Sequence, residues 1–442
     1  MVRLHNAREQ FPSVTPSLTL SLKVLLSAAT IAGTTFPLPN DMPLQNPALE
    51  GYYVVRNFWN LYFNPRERKF TNCGPRGDCH YSHELFVLWA VAVAVQAVVD
   101  GARLYPELKQ QIPDAIAIFQ RYKNDKVKGY CACENNGGDD RDIYYDDDAQ
   151  VCLAMLSAFE VTGDKRYLDQ GRELTLFLMG GWNDDPKAKT KGGMKWHITK
   201  PYLNACTTAE VAKCCLQIAR HIPNEAKSYI DFAARAIDWQ LKVLQDPGDK
   251  LIRDGVQADS DKVDDMKWLY NTGTTLSCCS MLFAATGDKH WQDRANELAT
   301  AATDPNVFFY DRDYPMELRY WRDPSKFNQL LIEGLADYLL LAKPSQEMNE
   351  RVTNEVARHL KMFYTYSRDE RDGLYIESFE PNTTFPWVYD NVYKKQYAGH
   401  EKGPGMKGED HDDHGHVTKS IMGAGLAARV FFQGARVCPQ LN

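Results

Sequence analysis

Three aspartates, Asp146, Asp147 and Asp148, follow two tyrosines in the stretch RDIYYDDDAQ and lead straight into an apolar helical run. Adjacent like charges repel, so the cluster needs a use. Helix capping gives one: acids at the N-cap and in the first turn satisfy free amides and the positive dipole end. Capping accounts for one or two of the three and leaves the Tyr-Tyr-Asp-Asp-Asp grouping unexplained. Glycoside hydrolysis has work for a pair. One carboxylate must be ionised to attack or steady the anomeric carbon, and the other must hold a proton for the leaving oxygen. A helix N-terminus favours charge on the first. That charge raises the pKa of its neighbour, so two adjacent carboxyls acquire unlike tasks. Successive helical residues turn by about 100°, so three in a row cannot all face one pocket. Asp146 and Asp147 are expected in the cleft and Asp148 in a structural bond.

Other residues suited to a sugar stand at the start of apolar segments. They are Tyr144 and Tyr145 beside the acids, Trp196 in GGMKWH, Asn204, Trp268, Tyr270, Asn271, Lys326, and His80, His83, His414 and His416. Aromatic faces stack on pyranose C–H groups, and amides and carboxylates bridge hydroxyls. The loop GEDHDDHGHV, residues 408–417, has metal-ligand residue types, but charge runs of this kind are usually solvated. The reading needs no metal and no cofactor. Of eleven cysteines, Cys214, Cys215, Cys278 and Cys279 lie inside apolar helices and read as core. Cys73, Cys79, Cys131 and Cys133 lie in polar loops, as disulfides or free thiols, since their spacing fits zinc poorly.

Helices must position these groups. Six segments are apolar almost all round and begin near Glu84, Asp147, Ala205, Thr272, Phe327 and Val417. A helix apolar on all faces is buried on all faces. Six amphipathic segments alternate with them, among them YPELKQQIPDAIAIFQRY and EAKSYIDFAARAIDWQLKVL. The turn Thr-Gly-Asp-Lys recurs at 162–165 and 286–289, with Gly closing a buried helix and Asp capping the next. Such self-similarity marks a repeat architecture. The expected fold is all-α: one domain over 46–436 in which six helical hairpins close into an (α/α)6 toroid. An open solenoid of the same hairpins is the alternative. The long loops 130–145, 180–203, 250–269 and 370–415 precede inner helices and should gather on one rim.

The bulk numbers fit. The 442 residues are 44% hydrophobic and 25% charged, with 23 Tyr and 9 Trp. A net charge of −7 gives no basic footprint for nucleic acid. No apolar run reaches the ~20 residues of a membrane span. Residues 1–45 read as a leader, either a signal peptide built on VLLSAATIAG or a disordered segment, and 437–442 as a tail. A signal peptide would make the protein extracellular or cell-wall bound; without one it is cytoplasmic. The sequon at Asn382 suits secretion. A monomer is expected.

Four motifs carry a family resemblance. YYDDDAQ resembles the Y-D-D-x-A signature of glycoside hydrolase family 76, the α-1,6-mannanases. GGMKWH…LNACTT, KWLYNTGTTLSCCSMLFAATGDKHW and SKFNQLLIEGLADYLL resemble, in order, that family's later segments. The resemblance spans about residues 80–340. It implies a six-hairpin barrel, a mannan or mannose-containing oligosaccharide as ligand, and retaining cleavage of α-1,6-mannosidic bonds. It also implies Asp146 as nucleophile and Asp147 as acid/base, with Trp196, Asn204, Asp254, Tyr270 and Asn271 lining the groove and Tyr145 among the sugar contacts. Gln150 stands where an aromatic is common and Thr208 where a second Asn is common, and Met194-Lys195-Trp196 lacks one aromatic; these departures bear on subsite preference. Two other readings share the pattern: a transglycosylase that passes mannan or anchor glycan to a sugar acceptor, and a mannan-binding protein without catalysis.

Overall fold

Asn46 opens the first helix. Its side chain accepts the Leu49 amide at 3.0 Å, and Pro47 takes the first helical position, where no N–H is needed. The computed structural model describes residues 43–71, 86–124, 126–135, 138, 140–406, 417 and 419–441. The leader to residue 42, Cys73, Cys79, His80, His83 and the His/Asp loop up to His416 lie outside them. The described residues pack as one unit.

Helices alternate between two layers. The outer layer is α1 (Pro47–Tyr62), α3 (Ile112–Ala117), α5 (Lys165–Met179), α7 (Ala226–Val243), α9 (Lys289–Ala302) and α11 (Gln346–Ser367). The inner layer is α2 (Leu88–Leu104), α4 (Tyr145–Thr162), α6 (Ala205–Ala219), α8 (Leu269–Thr286), α10 (Ser325–Leu341) and α12 (Ile421–Ala435). Each inner helix packs on the next, and α12 returns to α2, so the ring is closed. The fold is the (α/α)6 toroid. Every residue of α6 and of α12 is buried. The repeated turn behaves as its sequence requires. Gly163 and Gly287 end α4 and α8 at φ 75° and 70°, and Asp164 and Asp288 cap α5 and α9.

Backbone bonds show why the long loops share a rim. The first amide of an inner helix has no partner within that helix. Here it is bonded by the loop that precedes the next inner helix: Leu88 N to Ala132 O at 2.8 Å, Tyr145 N to Trp196 O at 2.9 Å and Ala205 N to Asp254 O at 2.8 Å. Leu269 N is bonded in the same way by Asp323 Oδ2 at 2.8 Å. Short strands reinforce the clasp. β3 (Lys123–Asn124) and β4 (Gly129–Tyr130) form a hairpin, and β5 (Tyr202–Asn204), β6 (Gly255–Gln257) and β7 (Val263–Asp264) form an antiparallel sheet across two loops. Strands of two or three residues carry no alternation that a sequence could display. A further pair, β1 (Phe63–Asn64) and β2 (Lys69–Phe70), follows α1.

Two segments differ from expectation. The helix expected over 105–122 is broken into 3-10 turns on either side of α3, with Pro106 and Pro113 each removing an amide donor. Part of the 370–415 loop is ordered helical turn, from Pro386 to Gln396. It carries Tyr393 and Tyr397 into a second buried cluster with Tyr314, Tyr320 and Tyr366. Asn382, the sequon residue, is 7% exposed and its amide donates to Gly403 O at 3.0 Å, so the folded chain does not offer it for glycosylation. Cys214, Cys215, Cys278 and Cys279 are buried free thiols, as expected of core; Cys131 and Cys133 are also free. Among the described residues no helix is long and apolar enough to cross a membrane.

Candidate active site

The α4 helix starts at Tyr145, and its N-cap, Tyr144, makes no side-chain cap bond. The three aspartates therefore occupy the first turn, and none is the N-cap. They diverge as helical rotation demands. Asp146 Oδ2 accepts the Trp196 indole N–H at 2.9 Å, and Oδ1 accepts the Asp147 amide at 3.1 Å. Asp148 turns the other way. It is fully buried, and both its oxygens take the Tyr130 amide of β4 at 3.1 and 3.2 Å. Asp148 is thus a brace for the hairpin beside the site, bonded across to a loop amide instead of to its own helix.

The electrostatics separate the first two. Among the described residues neither Asp146 nor Asp147 is ion-paired. Burial pushes Asp146 up to about 6, restrained by the Trp196 bond and the helix amides. Asp147 is pushed well above the usual carboxylate range, by burial and then by the charges of Asp146 and Glu210. The surroundings therefore favour charge on Asp146 over charge on Asp147.

Residues of the neighbouring loops and helix starts gather beside the pair. Asn204 caps α6 through the Thr207 amide at 3.0 Å and donates to Asp254 O at 3.3 Å. Asp254 accepts the Tyr202 hydroxyl at 2.7 Å and the Asn271 amide at 3.2 Å, while burial raises its pKa. Tyr270 stacks on Phe327, ring centroids 4.5 Å apart, with its hydroxyl in the field of Cys206, Asp254, Asp146 and Glu210. Trp196, Asn204, Asp254, Tyr270 and Asn271 thus gather with the Asp pair, although the Asn204 and Asn271 amides are spent on structure.

Tyr145 does not join them. Its ring stacks on Phe177 of α5 at 5.4 Å and closes on Gly181, on the outer-helix side. The preceding residue lies beside the Asp pair in its place. Tyr144 meets the Trp196 ring edge-on at 4.8 Å, and Lys200 lies over both rings. The register slips because α4 begins one residue after the first tyrosine, which points that ring across the rim.

Sequence reasoning missed two features, Glu210 and the aromatic wall around Phe327. Glu210, on α6, is 2% exposed and bonded to Gln150 of α4. A lone acid in the apolar run ACTTAEVAKCC was the available signal. Phe327 gathers Trp89, Trp268 and Tyr270 into one aromatic wall, with centroids 6.2, 5.0 and 4.5 Å from its own. Lys326, which the sequence did single out, stands over Trp89 and Phe327. Aromatic contacts from three separate helices leave no pattern in one stretch of chain.

Comparison with known proteins gives a consistent result. The family model for glycosyl hydrolase family 76 matches residues 52–378. The meiotically up-regulated gene 191 protein of Schizosaccharomyces pombe is 27% identical over 88% of this chain and 90% of its own length. The mannan endo-1,6-alpha-mannosidase DFG5 of Candida albicans is 29% identical over 25% of this chain and 27% of its own. Among solved structures, the α-1,6-mannanase GH76A of Salegentibacter sp. HEL1_6 superposes with a TM-score of 0.63 at 14% identity, covering 88% of this chain and 99% of that one. That structure is an inactive variant, two consecutive aspartates replaced by asparagine, in complex with α-1,6-mannotriose.

Proposed function

The chain belongs to glycosyl hydrolase family 76, and from that premise we propose that it cleaves α-1,6-mannosidic linkages of mannan with retention of configuration. The observation that carries the reading is the pair of adjacent carboxyls in one helical turn, the first held by the Trp196 indole and neither ion-paired among the described residues. Asp146, ionised and aligned by Trp196, attacks the anomeric carbon, and the glycosidic C–O bond breaks as Asp147 gives its proton to the departing oxygen. The product of this step is a mannosyl ester on Asp146. Asp147, now a carboxylate, takes a proton from an incoming hydroxyl, which attacks the same carbon and returns Asp146 to its charged form. Water as the incoming hydroxyl gives hydrolysis, and a sugar gives transfer. Tyr144, Trp196 and the wall around Phe327 supply faces for pyranose rings, and Asp254 and Tyr270 supply polar contacts at the floor. An extracellular or cell-wall place of action fits a polymeric substrate of this kind.

Linear and branched α-1,6-mannan incubated with the protein, followed by sizing of the products, tests the reading. Shortened chains from linear mannan are expected. Intact polymer after prolonged incubation with folded protein contradicts it. An added mannooligosaccharide acceptor separates the two outcomes of the second step, since transfer lengthens the acceptor.

A further inference from the structure

Glu210 is a buried carboxyl beside the Asp pair that the two-aspartate scheme leaves without a task. It stands on α6 one turn after Cys206, as Gln150 stands on α4 one turn after Asp146. Residues at i and i+4 share a helix face. The Gln150–Glu210 bond therefore crosses from helix to helix one turn beneath the Asp pair. One carboxyl oxygen takes the Gln150 amide. The other, Oε2, is buried without a well-formed hydrogen bond, its one polar neighbour being the weak Cys206 thiol donor. A buried ionised oxygen in that condition is costly, and a protonated one is not.

Among the described residues Lys213 is the cation that acts on Glu210, and it does not outweigh burial. Its charge is shared with other acids, since it is bound to Glu333 at 2.9 Å and lies 3.7 Å from Asp337. The other titratable groups facing Glu210 add no positive charge: Asp146 and Asp147 from α4, Cys206 and Cys214 from its own helix, Tyr270 and Cys278 from α8.

We infer that Glu210 is a positioning residue of this site: a third carboxyl, protonated at neutral pH, whose ionisation governs how firmly Asp147 holds its proton. The inference rests on the reaction proposed above. While Glu210 is neutral, the charge that acts most on Asp147 is that of Asp146. When Glu210 ionises, a second charge appears beneath Asp147 and raises its proton affinity. The acid/base then keeps its proton to higher pH than the aspartate pair alone would allow. Burial, with the charge of Asp146 behind it, lifts Glu210 to about 8, which puts this change on the alkaline side of the working range.

The Glu210→Gln variant keeps the shape of the neutral acid and removes its ionisation. On linear α-1,6-mannooligosaccharides the pH profile of kcat/KM should keep its acid limb. Its alkaline limb should move to lower pH by roughly half a unit or more, the scale of a lost neighbouring charge. Glu210→Asp should return it toward the parent. A uniform fall in rate with both limbs in place would reduce Glu210 to packing and overturn the inference. Infrared titration of the parent protein, with its glutamates carrying a ¹³C-labelled carboxyl, reads the same proton without activity and without a variant that must fold. Glu210 is the only glutamate among the described residues whose pKa is pushed up. One protonated glutamate band should persist at neutral pH and vanish above it. If every glutamate is ionised at neutral pH, the inference fails. A band in a protein that leaves α-1,6-mannan intact would keep the protonated third carboxyl and discard the reading of the reaction.

Discussion

Asp146, Asp147 and Asp148 share a name and a turn, and their surroundings give them three different jobs. Asp146→Asn should abolish turnover, because no charge is left to attack. Asp147→Ala should do nearly the same on mannan, yet recover activity on an activated mannoside whose leaving group needs no proton. Asp148→Ala should leave much of the rate and cost about 1–3 kcal/mol of stability, the penalty for the orphaned Tyr130 amide. Assays of the three variants on both substrates, with denaturant melts, decide this; an inert Asp148 variant beside an active Asp146 variant would show the register to be wrong. Trp196 makes a prediction about pH. Its N–H stabilises the charged form of Asp146, so activity should rise as pH climbs through about 6. Trp196→Phe keeps a ring and loses the donor, which raises the pKa of Asp146. The acid limb should therefore move to higher pH; an unmoved limb would mean that the indole only packs. The acids were legible in the sequence because clustering like charges at a helix start is itself a cost. Tyr144 and Tyr145 were not separable, because a shift of one residue in the helix start exchanges their directions.

Helix positions were legible from periodicity, and their close approach from small residues. The inner starts expected near residues 147, 205, 272 and 327 fall at Tyr145, Ala205, Leu269 and Ser325. Where prolines interrupt the pattern, around α3, a continuous helix was wrongly expected. Between α8 and α10 the backbones nearly touch. A Cβ at Gly334 would lie 2.1 Å from Gly273 O, and one at Gly273 would lie 2.5 Å from Leu331 Cα. Those obstacles are main chain and cannot swing aside. Gly334→Ala should force the helices apart and destabilise by about 1–3 kcal/mol or more, as overpacking does. A melting temperature equal to the parent's would show that the ring yields more easily than its packing suggests. The short rim strands and the order in 386–396 had no sequence signal, since both depend on partners from other loops.

The closed ring was expected because the six inner helices looked apolar on every face, and that reason was incomplete. At the centre, Arg429 of α12 reaches Asp100 of α2 and Gln329 and Glu333 of α10. Lys213 of α6 binds Glu333, and Arg436 binds Asp337 at 2.6 Å, whose other oxygen takes Ser277 of α8. Three acids are thus matched by three bases, Lys213 and Arg429 inside the barrel and Arg436 at its exposed end. Burial works against the charge of Glu333, and Lys213 and Arg429 hold its carboxyl well below the usual range all the same. Isolated charges on apolar helices read as exceptions until closure brings them together. Arg429→Met should strip partners from two buried carboxylates and cost about 3–5 kcal/mol. A loss below about 1 kcal/mol in chemical denaturation would mean that the network adds little to closure. The toroid exists here to present one rim, and on that rim Asp146 and Asp147 are proposed to act by double displacement. The most direct test is the anomeric form of the first product released from a linear α-1,6-mannooligosaccharide, followed by proton NMR before mutarotation. Retaining cleavage predicts an α-configured reducing end at the earliest times. A β-configured product would contradict the nucleophilic role of Asp146 and require a water-mediated inversion in its place.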